Sequence, residues 1–377
     1  MSQFKCVQAA ENVIVNREKL AREARQNGRV VIGHYCCTFP RELITAVGAV
    51  PYRITGDVEE TPSEVDRVLE TTMCPFIRSS IDLALKGRYD FLSAIVVPHA
   101  CECLEKMYDI WDYYVKEVKH VIFLEVPHMT YDTSYVFYAE SIRAVVCEMA
   151  KQMGLEVTDE NLKKAIRLHN ENRTLLNKIY ELRKADIPPV SATDIHKLVF
   201  AGSFMEVEAH NQLLGDALAE IGAFKPSGPA RPRVMLHMAQ LDDWALLELI
   251  DECGADLVVD DMCIGTRAFN FQADESKDPY DALAYAYLHD INCPRTYRTE
   301  SREERFAHIT HYAKEYRVSG LIIFITRYCD THAYDVPILR RFAEDAGLSV
   351  LTLEDDYSII NSKGQLKTRI QAFVEML

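Results

Sequence analysis

Cysteine is the residue type best placed to do chemistry in this chain, which carries 11 of them among 377 residues. Eight stand at the ends of apolar runs or at the heads of helix-like segments. Cys36 and Cys37 follow RVVIGHY, Cys74 precedes Pro75, and Cys101 and Cys103 follow SAIVVPHA. Cys263 follows LVVDDM, Cys293 lies in HDINCPR, and Cys329 follows LIIFITRY. Disulfides do not persist in a reducing compartment, so metal ligation or redox chemistry is the leading use for so many thiols. No C-x-x-C pair occurs, which disfavours structural zinc. Single thiolates that meet only in the fold suit an iron–sulfur cluster, which accepts ligands from distant loops. A thiol nucleophile beside His34, His99 or His332 is the competing reading, although it does not need so many cysteines. Cys6 and Cys147 sit in helix-like surroundings and read as small buried hydrophobes.

The elements that must position these thiols show in the apolar pattern. RVVIGHY, VPYRIT, FLSAIVVPH and HVIFLEVP read as four strands separated by helical stretches, and RVMLHM, ADLVVDD, GLIIFIT and LSVLTLE repeat the arrangement later. Strands alternating with helices imply parallel sheets covered on both faces. From roughly Asp159 to Ile221 the apolar spacing is helical, and the Pro- and Gly-rich GAFKPSGPARPR then marks a boundary. The expected fold class is α/β: two parallel-sheet, Rossmann- or flavodoxin-like lobes joined by a largely helical middle segment. The N-terminal lobe with its leading helix takes 1–155, the helical segment 156–228 and the C-terminal lobe 229–377. Open α/β sheets bind ligands beyond the carboxyl ends of their strands, and the eight cysteines fall on that rim. Helix N-termini there favour thiolates and an anionic cluster. The closing TRIQAF stretch reads as an amphipathic helix.

Composition excludes several partners. A net charge of −15 without a dense basic stretch repels a phosphate backbone, so no nucleic acid is expected. The first thirty residues alternate charged and apolar positions and contain no run resembling a signal peptide or membrane span, so no membrane is expected and the cytoplasm is the expected location. Neither a G-x-x-x-x-G-K-[ST] loop nor a G-x-G-x-x-G turn is present, so no nucleotide is expected on this chain.

Taken together, CCTFPRELITAVGAVPYRITG, MCPFIRSS, VVPHACECLEKMYDIW, DDMCIGTRAFNF, IIFITRYCDTHAYDVPILRR and GQLKTRIQAFVEML resemble the iron–sulfur subunits of the benzoyl-CoA reductase and 2-hydroxyacyl-CoA dehydratase family over nearly the whole chain. The resemblance implies a [4Fe–4S] cluster on Cys74, Cys101 and Cys329. The family commonly has Cys-Asp at the middle position, where this chain has Glu102 followed by a second thiol, Cys103. Cys36, Cys263 and Cys293 match instead the double-cubane branch, in which an [8Fe–9S] group takes six thiolates; Cys37 and Cys103 are alternatives to their neighbours. The double cubane is preferred here, with the single [4Fe–4S] cluster as the alternative.

The activity this resemblance implies is an ATP-dependent, low-potential reductase of the benzoyl-CoA reductase type, oxygen-sensitive, passing single electrons to a CoA thioester. Its implied partners are a homologous second subunit, in a heterodimer or homodimer, and an ATP-hydrolysing iron–sulfur activator. Raising an electron in energy costs about 2.3 kcal/mol per 100 mV, which ATP hydrolysis by a partner can drive. The alternatives are a 2-hydroxyacyl-CoA dehydratase subunit, a homodimeric double-cubane reductase of small molecules, and a non-catalytic electron-relay subunit. His34, His99 and Glu102, beside candidate ligands, are the candidate catalytic groups, with His332 a further proton shuttle; each reads otherwise as a structural residue. Arg78 and Arg267 follow candidate ligands by four residues, which would bring them to the cluster if those segments are helical.

Overall fold

The structure, a computed structural model, describes residues 2–298 and 302–377. All eight strands expected from the apolar runs form. In the first sheet they are β1 (Val31–His34), β2 (Val50–Arg53), β3 (Ala94–Pro98) and β4 (Val121–Leu124). The second holds β5 (Arg233–His237), β6 (Asp256–Asp261), β7 (Gly320–Thr326) and β8 (Ser349–Asp355). Every pairing within these sheets is parallel. The orders β2-β1-β3-β4 and β6-β5-β7-β8 are the same topology built twice. In both sheets the strand order reverses beside the first strand of the set, which opens a crevice at its carboxyl end.

Alternate residues along each strand feed different cores. Val31, Ile95 and Val97 point into one apolar cluster and Ile32 and Val96 into another; Val234, Leu236 and Ile322 are likewise separated from Met235, Leu321 and Ile323. The period of two and the cover on both faces explain why these strands read as continuous apolar runs. The expected helical stretch forms as Asp159–Glu181, Ala192–Ala201 and Val207–Ala223, and the closing helix Lys363–Val374 seats Leu366, Ile370 and Phe373 on the second sheet.

One crossing of the chain matters for the site. Residues between Phe271 and Cys293, which follow β6 in sequence, bury Tyr280, Leu283, Tyr287, Leu288 and Ile291 in the core beneath the first sheet. Arg295 fastens the end of this segment by donating to the carbonyls of Pro127 at 2.6 Å and Val126 at 2.8 Å, just past β4. Cys293 therefore reaches the first lobe although it is encoded among the strands of the second.

A buried charge pair ties the loop after β1 to the middle helices. Glu42, with no exposed surface, accepts from Arg173 and from the Tyr287 hydroxyl at 2.8 Å. Burial opposes ionisation of Glu42, yet Arg173 and then His169 outweigh it and hold the carboxyl down at about 2. A folded pKa below the unfolded one gives stability that is present above about 4.5 and is lost as pH falls towards 2. Glu42→Gln leaves the Arg173 cation buried and unpaired, so denaturant unfolding of this variant is expected to show a loss of about 3–5 kcal/mol. A loss below about 1 kcal/mol would mean that the pair does not join these elements.

Candidate functional site

Three thiols are presented by helix starts. Cys74, Cys101 and Cys329 are the residues just ahead of the helices Pro75–Leu85, Glu102–Tyr114 and Asp330–Ala333. Free backbone N–H groups of the first turn reach back to them: Ile77 and Phe76 to Cys74, Leu104 to Cys101, and His332 to Cys329. Such donors favour a thiolate. Burial works against it, raising Cys74 and lifting Cys329 to about 11. Cys101 is raised first by its neighbour Cys103, which is itself lowered to about 7 by Cys101.

A second set gathers around Cys37. Its thiol is pushed well above the ordinary range by Cys263, Cys293 and Cys36 in that order, while Cys36 falls to about 5, chiefly through Cys37 and with help from the Thr38 N–H and Arg53. Cys263 is lowered by Cys37 and, more weakly, by Arg267. The two sets meet, since the negative charge of Cys263 is felt at Cys329. All six residues Cys36, Cys74, Cys101, Cys263, Cys293 and Cys329 line one cavity of about 100 Å³. Phe76, Ile77, Ala100, Leu104 and Pro294 supply apolar wall between them.

The donor set decides what can fit. Among the described residues no three His, Cys, Asp or Glu side chains are arranged to hold one metal ion. The thiols surround a space of about 100 Å³ rather than closing on a point. Soft sulfur donors spaced around a largely apolar cavity fit a polynuclear iron–sulfur group and not a hard cation.

The backbone is strained where it delivers these thiols. Among the described residues four other than glycine have positive φ, and three serve this cavity: Cys36 at 58°, Asn292 ahead of Cys293 at 52° and Tyr328 ahead of Cys329 at 62°. Left-handed backbone costs an L-residue about 1–2 kcal/mol, so the surroundings must hold each in place. The Cys263 loop is pinned differently. Asp260 accepts from Thr266 N–H at 2.9 Å and Tyr180 hydroxyl at 2.6 Å, and a Cβ on Gly265 would collide with its Oδ1, so only glycine passes.

Arg267 reaches the thiols, although the segment from Cys263 to Gly265 is a turn and not the helix that a spacing of four assumed. Its Nη1 donates to Cys263 Sγ at 3.3 Å, and Asp261 anchors it, accepting from Nε at 3.1 Å and, through the carbonyl, from Nη2 at 3.0 Å. Asp261 also accepts from His237 at 2.8 Å and His308 at 3.1 Å. Arg78 does not face the thiols: it caps the carbonyls of Leu69 and Glu70 and pairs with Asp66. The helix is formed as expected, but these acceptors draw the guanidinium to its outer side.

The histidines divide. His332 lines the thiol cavity with a buried Nδ1 that has no partner among the described residues. His34 is buried, stacks on Phe39 and lines a neighbouring chamber instead. His99 pairs through Nδ1 with Glu125 Oε1 at 2.7 Å, and Glu102 is exposed; neither lines the thiol cavity. Cys6 is buried, as expected, and is pushed up to about 12 by burial and Glu220, whereas Cys147 is exposed, contrary to expectation. Arg53 and Arg295, which also line the thiol cavity, carry little signal in the sequence; an arginine closing the apolar strand run VPYRIT was the one available.

Two parallel-sheet lobes of the open α/β class thus enclose a cysteine-lined cavity beyond their strand ends. Residues 36–377 match the family described as 2-hydroxyglutaryl-CoA dehydratase, D-component, and the chain belongs to that family. It is 26% identical to the (R)-phenyllactyl-CoA dehydratase beta subunit of Clostridium sporogenes, covering 97% of both chains. It is 25% identical to the beta subunit of the lactoyl-CoA dehydratase of Anaerotignum propionicum, again over 97% of each. With one subunit of the benzoyl-CoA reductase of Thauera aromatica it shares 26% identity over 82% of this chain and 81% of that one. No helix among the described residues is long and apolar enough to cross a membrane.

Strain at Tyr328 is directly measurable. Tyr328→Gly, free to adopt positive φ, is expected to raise the unfolding free energy of anaerobically prepared protein by about 1 kcal/mol, and β-branched Tyr328→Val to lower it by a similar amount. Equal stability of the two variants would remove the argument.

Proposed function

We propose that this chain is the iron–sulfur subunit of a low-potential, ATP-dependent enzyme acting on CoA thioesters, of the benzoyl-CoA reductase type. In this reading Cys36, Cys263 and Cys293 hold one half of a double-cubane [8Fe–9S] group, and Cys74, Cys101 and Cys329 the other. The observation that carries it is the convergence of six thiols on one cavity. The bound group would supply single electrons of low potential, delivered to it by an ATP-hydrolysing partner.

The protein's own part follows from its side chains. Phe76, Ile77, Ala100 and Leu104 make the cavity wall largely apolar. Arg267 donates to Cys263 Sγ and stabilises the ligand as a thiolate, and Asp261 keeps that guanidinium in place. Arg53 and Arg295 add positive charge to the wall, offsetting the anionic ligand set. His332, in the cavity wall with its Nδ1 unengaged, is kept neutral by burial and by Arg267, so it offers a single ring N–H beside an acceptor rather than an extra proton; His34, His99 and Glu102 are not in that wall.

A dehydratase subunit is the second reading, favoured because the relatives named above that match 97% of this chain are named as dehydratase beta subunits. The two differ in electron use. With an activator, ATP and reductant supplied, stoichiometric electron consumption identifies a reductase, and water elimination without net consumption a dehydratase.

Iron analysis tests the ligand assignment. Anaerobically purified protein is expected to hold about eight irons per chain, and the Cys263→Ala, Cys293→Ala double variant about four. About four irons in both would leave only the Cys74, Cys101 and Cys329 set.

A further inference from the structure

Behind Cys36 and Cys263 lies a second chamber of about 40 Å³ that the thiol reading does not use. Arg41, Arg173, His34, His169 and His210 line it and are absent from the thiol cavity, whereas Arg53 borders both. Three guanidiniums thus face one small space. Only one is matched by a carboxylate: Arg173 pairs with Glu42. Among the described residues Arg41 and Arg53 form no ion pair; Arg41 donates to the Gly202 carbonyl at 2.8 Å, and Arg53 Nη2 to Gln240 Oε1 at 2.6 Å.

The same chamber holds polar atoms left unsatisfied by the described residues. Arg53 Nε has no partner among them, and neither ring nitrogen of His34 has one although that residue is 1% exposed. Arg53 is buried and Arg41 half-buried, and Arg53 already faces the thiols Cys36 and Cys263 that share this wall. Arg41, which has no carboxylate partner among the described residues, and the unpartnered His34 and Arg53 nitrogens leave the chamber favouring an anionic acceptor. His169 and His210 are already engaged, the first by Thr45 at 2.9 Å and the second by Asn172 and the Leu198 carbonyl at 2.8 and 2.9 Å.

We propose that this chamber binds a small carboxylate anion of three or four heavy atoms, gripped by Arg41 and Arg53 and hydrogen-bonded by His34. Size follows from the volume, which admits roughly three water-sized groups. The planar fork of a guanidinium matches a carboxylate with two parallel hydrogen bonds. Phe39, Leu176, Val199 and Phe269 give the rest of the wall an apolar character that accepts a methyl group and disfavours a fully hydrated dianion. The site goes beyond the cluster reading: Cys36, Cys263 and Arg53 border both spaces, whereas Arg41, His34 and the apolar wall residues do not line the thiol cavity.

The test is calorimetric titration of the full-length, anaerobically purified, iron-replete protein with acetate and, separately, inorganic phosphate, with iron content measured alongside. Acetate is expected to bind saturably, one per chain, and phosphate not at all. Arg41→Gln and Arg53→Gln are each expected to weaken acetate binding on the order of ten-fold or more, with iron content unchanged in Arg41→Gln. Should Arg41→Gln fail to fold, Arg41→Lys keeps the charge, loses the fork and is expected to weaken binding several-fold. No saturable acetate binding by folded, iron-replete protein overturns the proposal, as does binding unaltered by the Arg41 substitution or seen with phosphate alone. Acetate bound normally by protein lacking iron would support the chamber and count against the cluster reading instead.

Discussion

Thiolates crowded into an apolar cavity repel one another and lose the solvation that would otherwise stabilise them, so six cannot ionise together unless positive charge shares the space. The opposed shifts at Cys36 and Cys37, and at Cys103 and Cys101, express that conflict: one member of each pair takes the negative charge and its neighbour keeps its proton. Relief comes from helix N-termini, from Arg267, Arg53 and Arg295, and from whatever cationic centre the thiolates ligate. The two sheets, the returning segment that carries Cys293 and the strained turns at Cys36, Asn292 and Tyr328 are arranged so that thiols far apart in the chain meet this condition in one place.

Using one topology twice solves the placement economically. Each sheet offers a crevice at the carboxyl ends of its strands, and loops from both crevices face a common cavity: those after β1 and β3 carry Cys36 and Cys101, and those after β6 and β7 carry Cys263 and Cys329. Cys74 and Cys293 come from the connections between strands. Rigid parallel strands hold the loop bases while the loops supply chemistry, which lets relatives with different named activities share the scaffold.

Much of this was legible in the residue pattern. Eight apolar runs became eight strands, the central ones because a sheet covered on both faces leaves no polar alternation, and cysteines just after several of those runs line one cavity. The resemblance to a known family then grouped six of them. What sequence did not reveal were features that depend on packing between distant segments. A helical spacing of four pointed to Arg267, which reaches Cys263 through a turn instead, and it misled at Arg78, where the helix forms but the Leu69 and Glu70 carbonyls and Asp66 claim the guanidinium. The three guanidiniums of the second chamber come from the loop after β1, from β2 and from a middle helix, so no local signal joins them. The repeated topology left no trace as a sequence repeat, since strand order constrains residue type far more weakly than it constrains polarity.

The central claim is that six thiols from both lobes share one polynuclear iron centre. Anomalous diffraction at the iron absorption edge, on anaerobically grown crystals, tests it most directly. Iron density is expected to fill the cavity and to extend from the Cys74, Cys101 and Cys329 side to the Cys36, Cys263 and Cys293 side. Iron confined to the first three, or bound anywhere outside this cavity, would contradict it.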